Sequence, residues 1–199
     1  MTDREWDKRL HIRTVGREDE SCPNYAPYEP TPYAVLRRLA DGGYVRRKDH
    51  LLDYGCGKGR VAFFMASEVG CRVTGVDYSG KLIEIAKENR RASGLGDRVK
   101  LACLLAEWYE LTDENVFFFF NPFSGKVFDC VLRRIAGSWH DDPRTLTVIC
   151  YYPSEEYLQL LEAAPEFEPV ASIDCNDLFS GVNARERIVV YRAQKRPPD

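Results

Sequence analysis

The sequence predicts an α/β fold with a seven-stranded, mainly parallel sheet, helices on both faces and an antiparallel C-terminal edge hairpin. From His50 onward, short apolar and β-branched segments alternate with segments of helical spacing, which is the pattern of a parallel sheet covered on both faces. The last two strand-like segments, 167–173 and 186–191, have no helical pattern between them. They therefore predict two antiparallel strands that close the sheet.

The remaining elements follow one another in a regular order. Strands are predicted over 50–54, 71–77, 98–104, 115–120 and 146–152, and helices over 33–39, 60–69, 80–92, 127–135 and 155–164. The strands are short apolar runs, and the helices place apolar residues three and four positions apart. Gly42 and Gly43 end the first helix, and Ser154 is suited to cap the last one.

Composition divides the chain into three parts. Residues 1–24 form a charged N-terminal arm with few apolar residues, which we expect to be mobile, or ordered only by docking or by a ligand. Residues 25–193 are expected to form a single domain, because a chain of 199 residues suits one α/β domain. Residues 194–199 are polar and rich in proline, which predicts a disordered tail.

Charge and cysteine content disfavour several classes of function. The formal net charge of −3 gives no overall attraction to nucleic acid or to anionic membranes. The seven cysteines contain no Cys-x-x-Cys pair and the three histidines are scattered, so we expect no metal site. The sequence shows no signal peptide and no apolar run of about 18 residues, which together with the odd cysteine count predicts a cytoplasmic protein and no membrane partner.

The most informative segment is 51–60, where an apolar strand passes Asp53 and breaks into a glycine turn. Three glycines stand at alternate positions: Gly55, Gly57 and Gly59. They allow positive φ angles and a close approach of ligand to backbone, and the helix that follows favours a charged ligand at its start. The dinucleotide fingerprint G-x-G-x-x-G needs glycine at position 60, where this chain has Arg60. The spacing therefore disfavours a nicotinamide or flavin enzyme.

A second acidic residue ends the next predicted strand. Asp77 follows Asp53 by 24 positions. At the carboxyl edge of a parallel sheet, such a carboxylate can accept hydrogen bonds from both hydroxyls of a ribose. Alternatively, Asp77 caps the turn 78–80 that begins the next helix. Its spacing from the glycine turn favours the ligand-binding interpretation.

These motifs resemble those of the class I S-adenosylmethionine-dependent methyltransferases. They are Asp53-Tyr-Gly-Cys-Gly-Lys-Gly59, then Gly75-Val-Asp77, then a strand followed by Ala106-Glu107. The resemblance covers about residues 25–192 and implies the Rossmann-like fold and S-adenosyl-L-methionine as cofactor. It assigns cofactor contacts to Asp53, Gly55, Cys56, Gly57, Gly59, Asp77, Tyr78, Ala106 and Glu107. Many members have an aspartate for the adenine amine where this chain has Leu105, so Glu107 or a backbone carbonyl is expected to replace it.

The segment Asn121-Pro122-Phe123 resembles the [D/N]-P-P-[F/Y] motif of methyltransferases that act on amino groups, with one proline missing. The resemblance implies that the Asn121 side-chain oxygen and the Pro122 carbonyl accept the N–H groups of an amine, while Phe123 stacks on a planar substrate. Positioning of this kind supplies much of the catalysis, and no metal is needed. Alternatively, Asn-Pro is a turn after a strand and Phe123 belongs to the core.

The proline-rich segment 22–33 carries three candidates for closing the site over the cofactor: Tyr28, Thr31 and Tyr33. In the family that the motifs resemble, the chain before the first strand folds over the cofactor. The alternative is a surface segment that proline merely stiffens.

The sequence thus predicts an S-adenosylmethionine-dependent methyltransferase with a nitrogen acceptor, which we expect to be a small molecule or a protein rather than nucleic acid. One alternative is a protein that binds S-adenosylmethionine or S-adenosylhomocysteine without methyl transfer, as a regulator or a subunit of a complex. Another is a nicotinamide oxidoreductase, which Arg60 disfavours. The acceptor's identity and the oligomeric state stay open.

Overall fold

A seven-stranded sheet forms the centre of the molecule in the computed structural model, which describes residues 1–18 and 22–194. The strands are His50–Tyr54 (β1), Arg72–Asp77 (β2), Val99–Cys103 (β3), Val116–Phe119 (β4), Leu146–Tyr151 (β5), Glu168–Asp174 (β6) and Arg187–Ala193 (β7). Their order is β3-β2-β1-β4-β5-β7-β6, and β7 runs antiparallel to both of its neighbours while the other pairs are parallel. The predicted fold class is therefore confirmed.

Six α-helices cover the two faces of the described part of the chain. They are Asp3–Leu10 (α1), Tyr33–Asp41 (α2), Arg60–Glu68 (α3), Gly80–Ser93 (α4), Gly125–Asp141 (α5) and Glu155–Ala163 (α6). Helix α5 is longer than predicted, because its buried stripe continues past Gly137 to Trp139. Between β6 and β7 the described chain forms only a short 3₁₀ turn, Asn176–Leu178. None of these helices combines the length and apolar character needed to cross a bilayer.

Strand β4 shows why the sheet is buried on both faces. Along it, Val116 and Phe118 join the core under α1, α2 and α3, while Phe117 and Phe119 join the core under α5 and α6. Successive strand residues point to opposite faces, so a continuous apolar run is what a strand covered on both sides requires. The run of phenylalanines places the end of β4 firmly beside the end of β1.

The N-terminal arm is docked on the domain rather than mobile. Its helix α1 begins with a capping box between Thr2 and Glu5. Trp6, on the buried face of this helix, stacks on Tyr33 with ring centroids 5.5 Å apart and meets Phe64 edge-on at 5.1 Å. Of the two states expected for residues 1–24, the structure has the docked one for the described part. The predicted tail falls almost wholly on residues 195–199, outside the described residues.

A buried arginine joins this arm to the start of α3. The side chain of Arg60 is only 2% exposed. Its Nε donates to Thr14 Oγ1 at 2.7 Å, and Nη1 donates to Asp3 and to the Thr31 carbonyl. Its guanidinium also lies 4.4 Å from the centroid of the Tyr33 ring. One side chain therefore binds three separate parts of the N-terminal segment.

Asp7 is the buried acidic partner in the same cluster. Its carboxylate accepts hydrogen bonds from the backbone and hydroxyl of Thr14, both at 2.6 Å, and from the Tyr33 hydroxyl at 2.7 Å. Arg60 Nη2 lies 3.9 Å from Asp7 Oδ1. A buried charge is tolerated only when it is paired and hydrogen-bonded, and Arg60 and Asp7 meet that condition together.

A second polar cluster joins β1, β2 and the segment before β4 at the opposite, amino-terminal edge of the sheet. His50 Nδ1 lies 2.7 Å from Asp113 and Nε2 lies 2.8 Å from Thr74. Glu114, fully buried, accepts hydrogen bonds from Tyr109 and Thr112. Although His50, Asp113 and Glu114 have ligand atoms within 4.8 Å of one another, these hydrogen bonds give each a structural partner.

Replacing Arg60 with methionine should destabilise the fold strongly. The change keeps an unbranched apolar side chain but leaves Asp7 buried without its cation, which costs about 3–5 kcal/mol. Urea unfolding measures the free energy of unfolding. Arg133→Met is the matched control, because Arg133 forms an exposed pair with Asp129 four residues earlier, and such pairs contribute about 0.3–0.5 kcal/mol. Equal effects for the two variants would contradict the structural role of Arg60.

Candidate active site

A cavity of about 470 Å³ opens at the carboxyl ends of β1, β2, β4 and β5. Clefts of this size accept a drug-sized ligand, and this edge of a parallel sheet is where such ligands bind. Most of the predicted site residues line it: Asp53, Gly55, Cys56, Asp77, Tyr78, Ala106, Asn121, Pro122, Tyr28 and Thr31. The other predicted residues do not form its wall: Gly57, Gly59, Glu107, Phe123 and Tyr33. The motifs therefore converge on one site.

The glycine turn is packed from both sides. Gly55 has a φ of 74°, and a Cβ there would lie 2.3 Å from Pro122 Cβ. Gly57 has a φ of 53°, and a Cβ there would lie 2.2 Å from the Tyr28 ring. Glycine is required at both positions for conformation and for space. The glycine turn therefore packs between the loop after β4 and residues 22–32. We call residues 22–32 the strap.

The strap forms the roof of the cavity, and its residues Tyr28 and Thr31 line it. That they close the site over a cofactor stays a prediction. Tyr28 lies on the glycine turn and donates its hydroxyl to the Thr14 carbonyl at 2.6 Å. Its ring also lies 4.8 Å from Lys58 Nζ, and this lysine pairs with Glu18 at 3.1 Å. The pairing of Lys58 with Glu18, which fixes the chain before the strap, was not foreseen from the sequence.

Tyr33 does not close the site, and this expectation was wrong. It is 1% exposed, stacks on Trp6 and donates its hydroxyl to Asp7. As the first residue of α2, it turns inward with that helix's buried face. The helical periodicity of 33–39 was correctly predicted, but it places Tyr33 in the core.

Asp77 forms hydrogen bonds that hold the glycine turn and the start of α4. Its carboxylate accepts the Gly57 amide at 2.8 Å and the Ser79 amide at 2.9 Å. The turn contact proposed as the alternative is therefore present, while Ser79 is the N-cap of α4. Because Asp77 also lines the cavity, its binding of a ribose stays a prediction beside this structural role.

Asp53 is a strongly perturbed acid of the site. It is 2% exposed, and its Oδ2 is buried without a hydrogen-bond partner among the described residues. Burial, with a smaller contribution from the charge of Asp77, raises the pKa of Asp53 to about 8. An orphaned carboxylate oxygen beside a cavity is suited to a ligand that brings positive charge.

The ends of β2 and β3 are joined by a tyrosine that the sequence did not point to. The Tyr25 hydroxyl donates to Glu107 and accepts the Ala106 amide at 2.9 Å. Its ring lies 4.7 Å from that of Tyr78 and 5.8 Å from that of Phe123, centroid to centroid. Glu107, predicted to flank a base, thus turns toward Tyr25, which itself lines the cavity.

Asn121 and Pro122 lie at the cavity wall but also bind neighbouring backbone. Asn121 Nδ2 donates to the Tyr152 carbonyl, and its Oδ1 accepts the Ser154 amide at 3.1 Å. The Pro122 carbonyl accepts the Ala26 amide at 3.0 Å. Asn121 has a φ of 42°, a left-handed conformation that asparagine tolerates better than most residues. The turn that the sequence offered as an alternative is present here.

Phe123 does not face a substrate, and its predicted stacking role was wrong. It is 5% exposed and belongs to the core cluster under α5 and α6. The rings of Tyr54 and Phe119 meet it edge-on, and its carbonyl accepts the Tyr157 hydroxyl at 2.7 Å. The side chain of Phe123 points into the core, whereas Asn121 and Pro122 line the cavity. Only the first two residues of Asn121-Pro122-Phe123 therefore reach the cavity.

Comparison with known proteins identifies the family. A family model described as a methyltransferase domain matches residues 51–145, which contain the glycine turn, Asp77 and Asn121. This segment belongs to that methyltransferase-domain family, and the chain has the fold of the class I S-adenosylmethionine-dependent methyltransferases. The sheet order and the cavity at its carboxyl edge agree with that assignment.

Two curated proteins and one solved structure illustrate the relationship. The methyltransferase domain is 32% identical over 124 residues to a histone-lysine N-methyltransferase specific for H3 lysine-79 from Dictyostelium discoideum, covering 56% of this chain and 7% of that protein. It is 34% identical over 99 residues to the 27-O-demethylrifamycin SV methyltransferase of Amycolatopsis mediterranei, covering 50% of this chain and 34% of that protein. The chain thus spans only a minor part of these relatives.

A Salinibacter ruber RNA methyltransferase, solved with S-adenosyl-L-homocysteine, shares the fold. Its TM-score is 0.61 at 18% identity, and the match covers 86% of this chain and 97% of that one. The relatives' names include both an N- and an O-methyltransferase, so family membership alone leaves the acceptor atom open.

The residues of the methyltransferase site fit S-adenosylmethionine, the cofactor of this family. Asp53 Oδ2 has no hydrogen-bond partner among the described residues, and the cofactor's amino group and sulfonium are cationic. No side chain fits at Gly55 or Gly57, because a Cβ there would collide with Pro122 or Tyr28. The turn therefore presents its backbone to a ligand. Asp53 and the glycine turn would therefore hold the cofactor.

Cofactor binding should release a proton near neutral pH. The Asp53 carboxyl has a pKa of about 8 and is mostly protonated at pH 7, and a bound cation favours its ionised form. Binding therefore lowers the pKa of Asp53, and the proton leaves at pH values below about 8. Cofactor affinity then rises with pH between about 6 and 7, because the ligand's amino group keeps its charge in that range. Titration calorimetry in buffers of different ionisation enthalpy measures the release. Equal release by Asp53→Asn would contradict this assignment.

Removing the Tyr25 hydroxyl should strengthen cofactor binding. If the Ala106 amide and Glu107 bind the adenine, Tyr25 has to give up both hydrogen bonds, and Tyr25→Phe abolishes that cost. We expect S-adenosylhomocysteine to bind about tenfold more tightly, since one hydrogen bond contributes about 1 kcal/mol or more. Calorimetry gives the affinity, with Tyr44→Phe as control. An unchanged or weaker affinity would mean that Tyr25 does not compete with the base.

Proposed function

We propose that this methyltransferase transfers the methyl group of S-adenosylmethionine to a nitrogen acceptor oriented by Asn121 and Pro122. The supporting observation is that both residues line the same cavity as Asp53 and Asp77. Their oxygens are the acceptors that an amine's N–H groups need. One relative named as a lysine N-methyltransferase also favours nitrogen.

The internal hydrogen bonds of these two residues are compatible with that role. Asn121 Oδ1 accepts one hydrogen bond, from Ser154, and the Pro122 carbonyl accepts one, from Ala26. A carbonyl or amide oxygen has two lone pairs, so each can accept one more donor. The contacts to Ser154 and Ala26 would then hold the two oxygens in fixed directions, which is what orientation of a nucleophile requires.

The chemistry demands little of the protein beyond positioning. Bound S-adenosylmethionine supplies an activated methyl group: an N–C bond forms as a C–S bond breaks, the electron pair returns to sulfur, and the positive charge moves to nitrogen. The chain holds the acceptor by its N–H groups and excludes water with the strap. Well-oriented reactants of this kind gain up to about 7–11 kcal/mol in the barrier.

We further propose that the acceptor is a small molecule or a protein rather than nucleic acid. The net charge of the chain is −3, and the cavity rim carries acids as well as arginines. Arg17 there is paired with Glu29 at 3.2 Å. Nucleic-acid binding would favour a continuous basic surface instead.

Replacing Asn121 with glycine should slow turnover while leaving cofactor affinity intact. Glycine accepts the φ of 42°, so the change removes the amide group without backbone strain. We expect methylation of an amine acceptor to fall by about 100-fold, as for other losses of orientation. The assay is S-adenosylhomocysteine release with a panel of amine, hydroxyl and carbon acceptors, alongside calorimetry with S-adenosylhomocysteine.

Ser154→Ala is the control for a structural effect. It removes the cap of α6, where Ser154 Oγ accepts the Tyr157 amide at 3.2 Å, but retains the Ser154 amide that binds Asn121. Stability should fall and turnover should not. Methylation of hydroxyl or carbon acceptors alone would exclude the nitrogen proposal. Cofactor binding without any product would favour the alternative of a binding protein without methyl transfer.

A further inference from the structure

One wall of the cavity is aromatic and carries a single acid. The rings of Phe120 and Tyr151 lie 4.7 Å apart, and Tyr152 meets Phe120 edge-on at 6.4 Å. Glu186, the residue before β7, belongs to the same wall. Because β4, β5 and β7 lie on the other side of β1 from β2 and β3, this wall is separate from the Asp77 end of the cavity. We call these four residues the aromatic wall.

The carboxylate of Glu186 is bound by a neutral donor. Its Oε1 accepts a hydrogen bond from the Tyr151 hydroxyl, a neutral donor. Across the described part of the chain, no lysine, arginine or histidine nitrogen forms an ion pair with it. A partly buried carboxylate beside aromatic rings favours a cation as its partner.

Arg185, one of the two arginines that flank Glu186 in the sequence, is engaged elsewhere. Its guanidinium lies 4.3 Å from the centroid of the Tyr152 ring, and it donates to the carbonyls of Pro153 and Tyr152, both at 3.2 Å. These contacts hold the cation on an aromatic face and on backbone oxygens. They also show that a ring of this wall already binds a guanidinium.

The backbone at this wall is held in an unfavourable conformation. Tyr152 has a φ of 52°, which is rare for an aromatic residue. Its carbonyl accepts Asn121 Nδ2, and its amide donates to the Arg187 carbonyl at 2.9 Å. Strain of this kind is concentrated at functional sites. Through Tyr152, the wall and Asn121 are joined directly.

We infer that the aromatic wall is the acceptor subsite and that it takes an organic cation, an ammonium or guanidinium group carried by the acceptor. This inference rests on the proposed function, since it places the cation next to the amine-orienting residues Asn121 and Pro122. Glu186 supplies the opposite charge, and the rings of Phe120 and Tyr151 supply faces that attract a cation. The acceptor is then a basic compound or a basic protein side chain.

The test is calorimetry of the full chain saturated with S-adenosylhomocysteine. The probes are cadaverine and agmatine as cations, pentane-1,5-diol as a neutral analogue, glutarate as an anion, and the peptide acetyl-Gly-Lys-Gly-amide. We expect the cations to bind and Glu186→Gln to weaken them at least about tenfold, the effect of losing a charge-assisted hydrogen bond. Glu110→Gln, an exposed acid away from the cavity, should change nothing, and neither variant should alter S-adenosylhomocysteine affinity.

The outcomes separate this inference from the proposed function. Equal binding of diol and diamine, no cation binding, or an unchanged Glu186→Gln variant would overturn the cation subsite. Preferential binding of glutarate would overturn it in favour of an anionic acceptor at Arg185. Tighter binding of the peptide than of the free amines would identify a protein side chain as the source. If cations bind through Glu186 but only hydroxyl acceptors are methylated, the subsite stands and the nitrogen proposal fails.

Discussion

The buried guanidinium of Arg60 is the contact on which the site depends. It follows the glycine turn directly, at the first position of α3, and binds Thr14, Asp3 and the Thr31 carbonyl. A charge buried to this extent has to be satisfied from several directions at once, and here all of these partners come from the N-terminal segment. The arm is therefore part of the domain's interior structure and not an appendage.

This arrangement couples the roof of the cavity to its floor. Arg60 binds the strap at Thr31 and the chain before it at Thr14. Between these two contacts, Tyr28 packs on the glycine turn, where a Cβ would not fit. Lys58, in the same turn, pairs with Glu18 just before the strap. Lys58 and Arg60, two residues apart, thus hold the strap and the chain before it against the glycine turn. A cofactor bound between them meets a cavity whose shape is set by local contacts.

The sequence predicted the parts of the fold that repeat with a local period. The strands and α3 to α6 follow from apolar spacing, and the motifs that contain Asp53, Gly55 and Asp77 lie at the edge of the sheet where the cavity opens. Helix α1 was missed because its apolar residues Trp6 and Leu10 are outnumbered by charges, and only burial against Phe64 reveals their role. Phe123 and Tyr33 were misplaced for a related reason: a motif fixes the position of a residue in the chain, but packing decides the direction of its side chain.

The aromatic wall of the cavity was the least predictable part, because it is assembled by the antiparallel pairing of β5 with β7. Tyr151 lies opposite Ile188 in that register, which brings Glu186 to the Tyr151 hydroxyl from 35 residues away. Tyr152 has a positive φ, and Asn121, Arg185 and Arg187 bind its backbone. Neither contact leaves a local pattern in the sequence. The glycine turn and Asp77 are thus encoded in short motifs, whereas the aromatic wall is encoded in tertiary pairing.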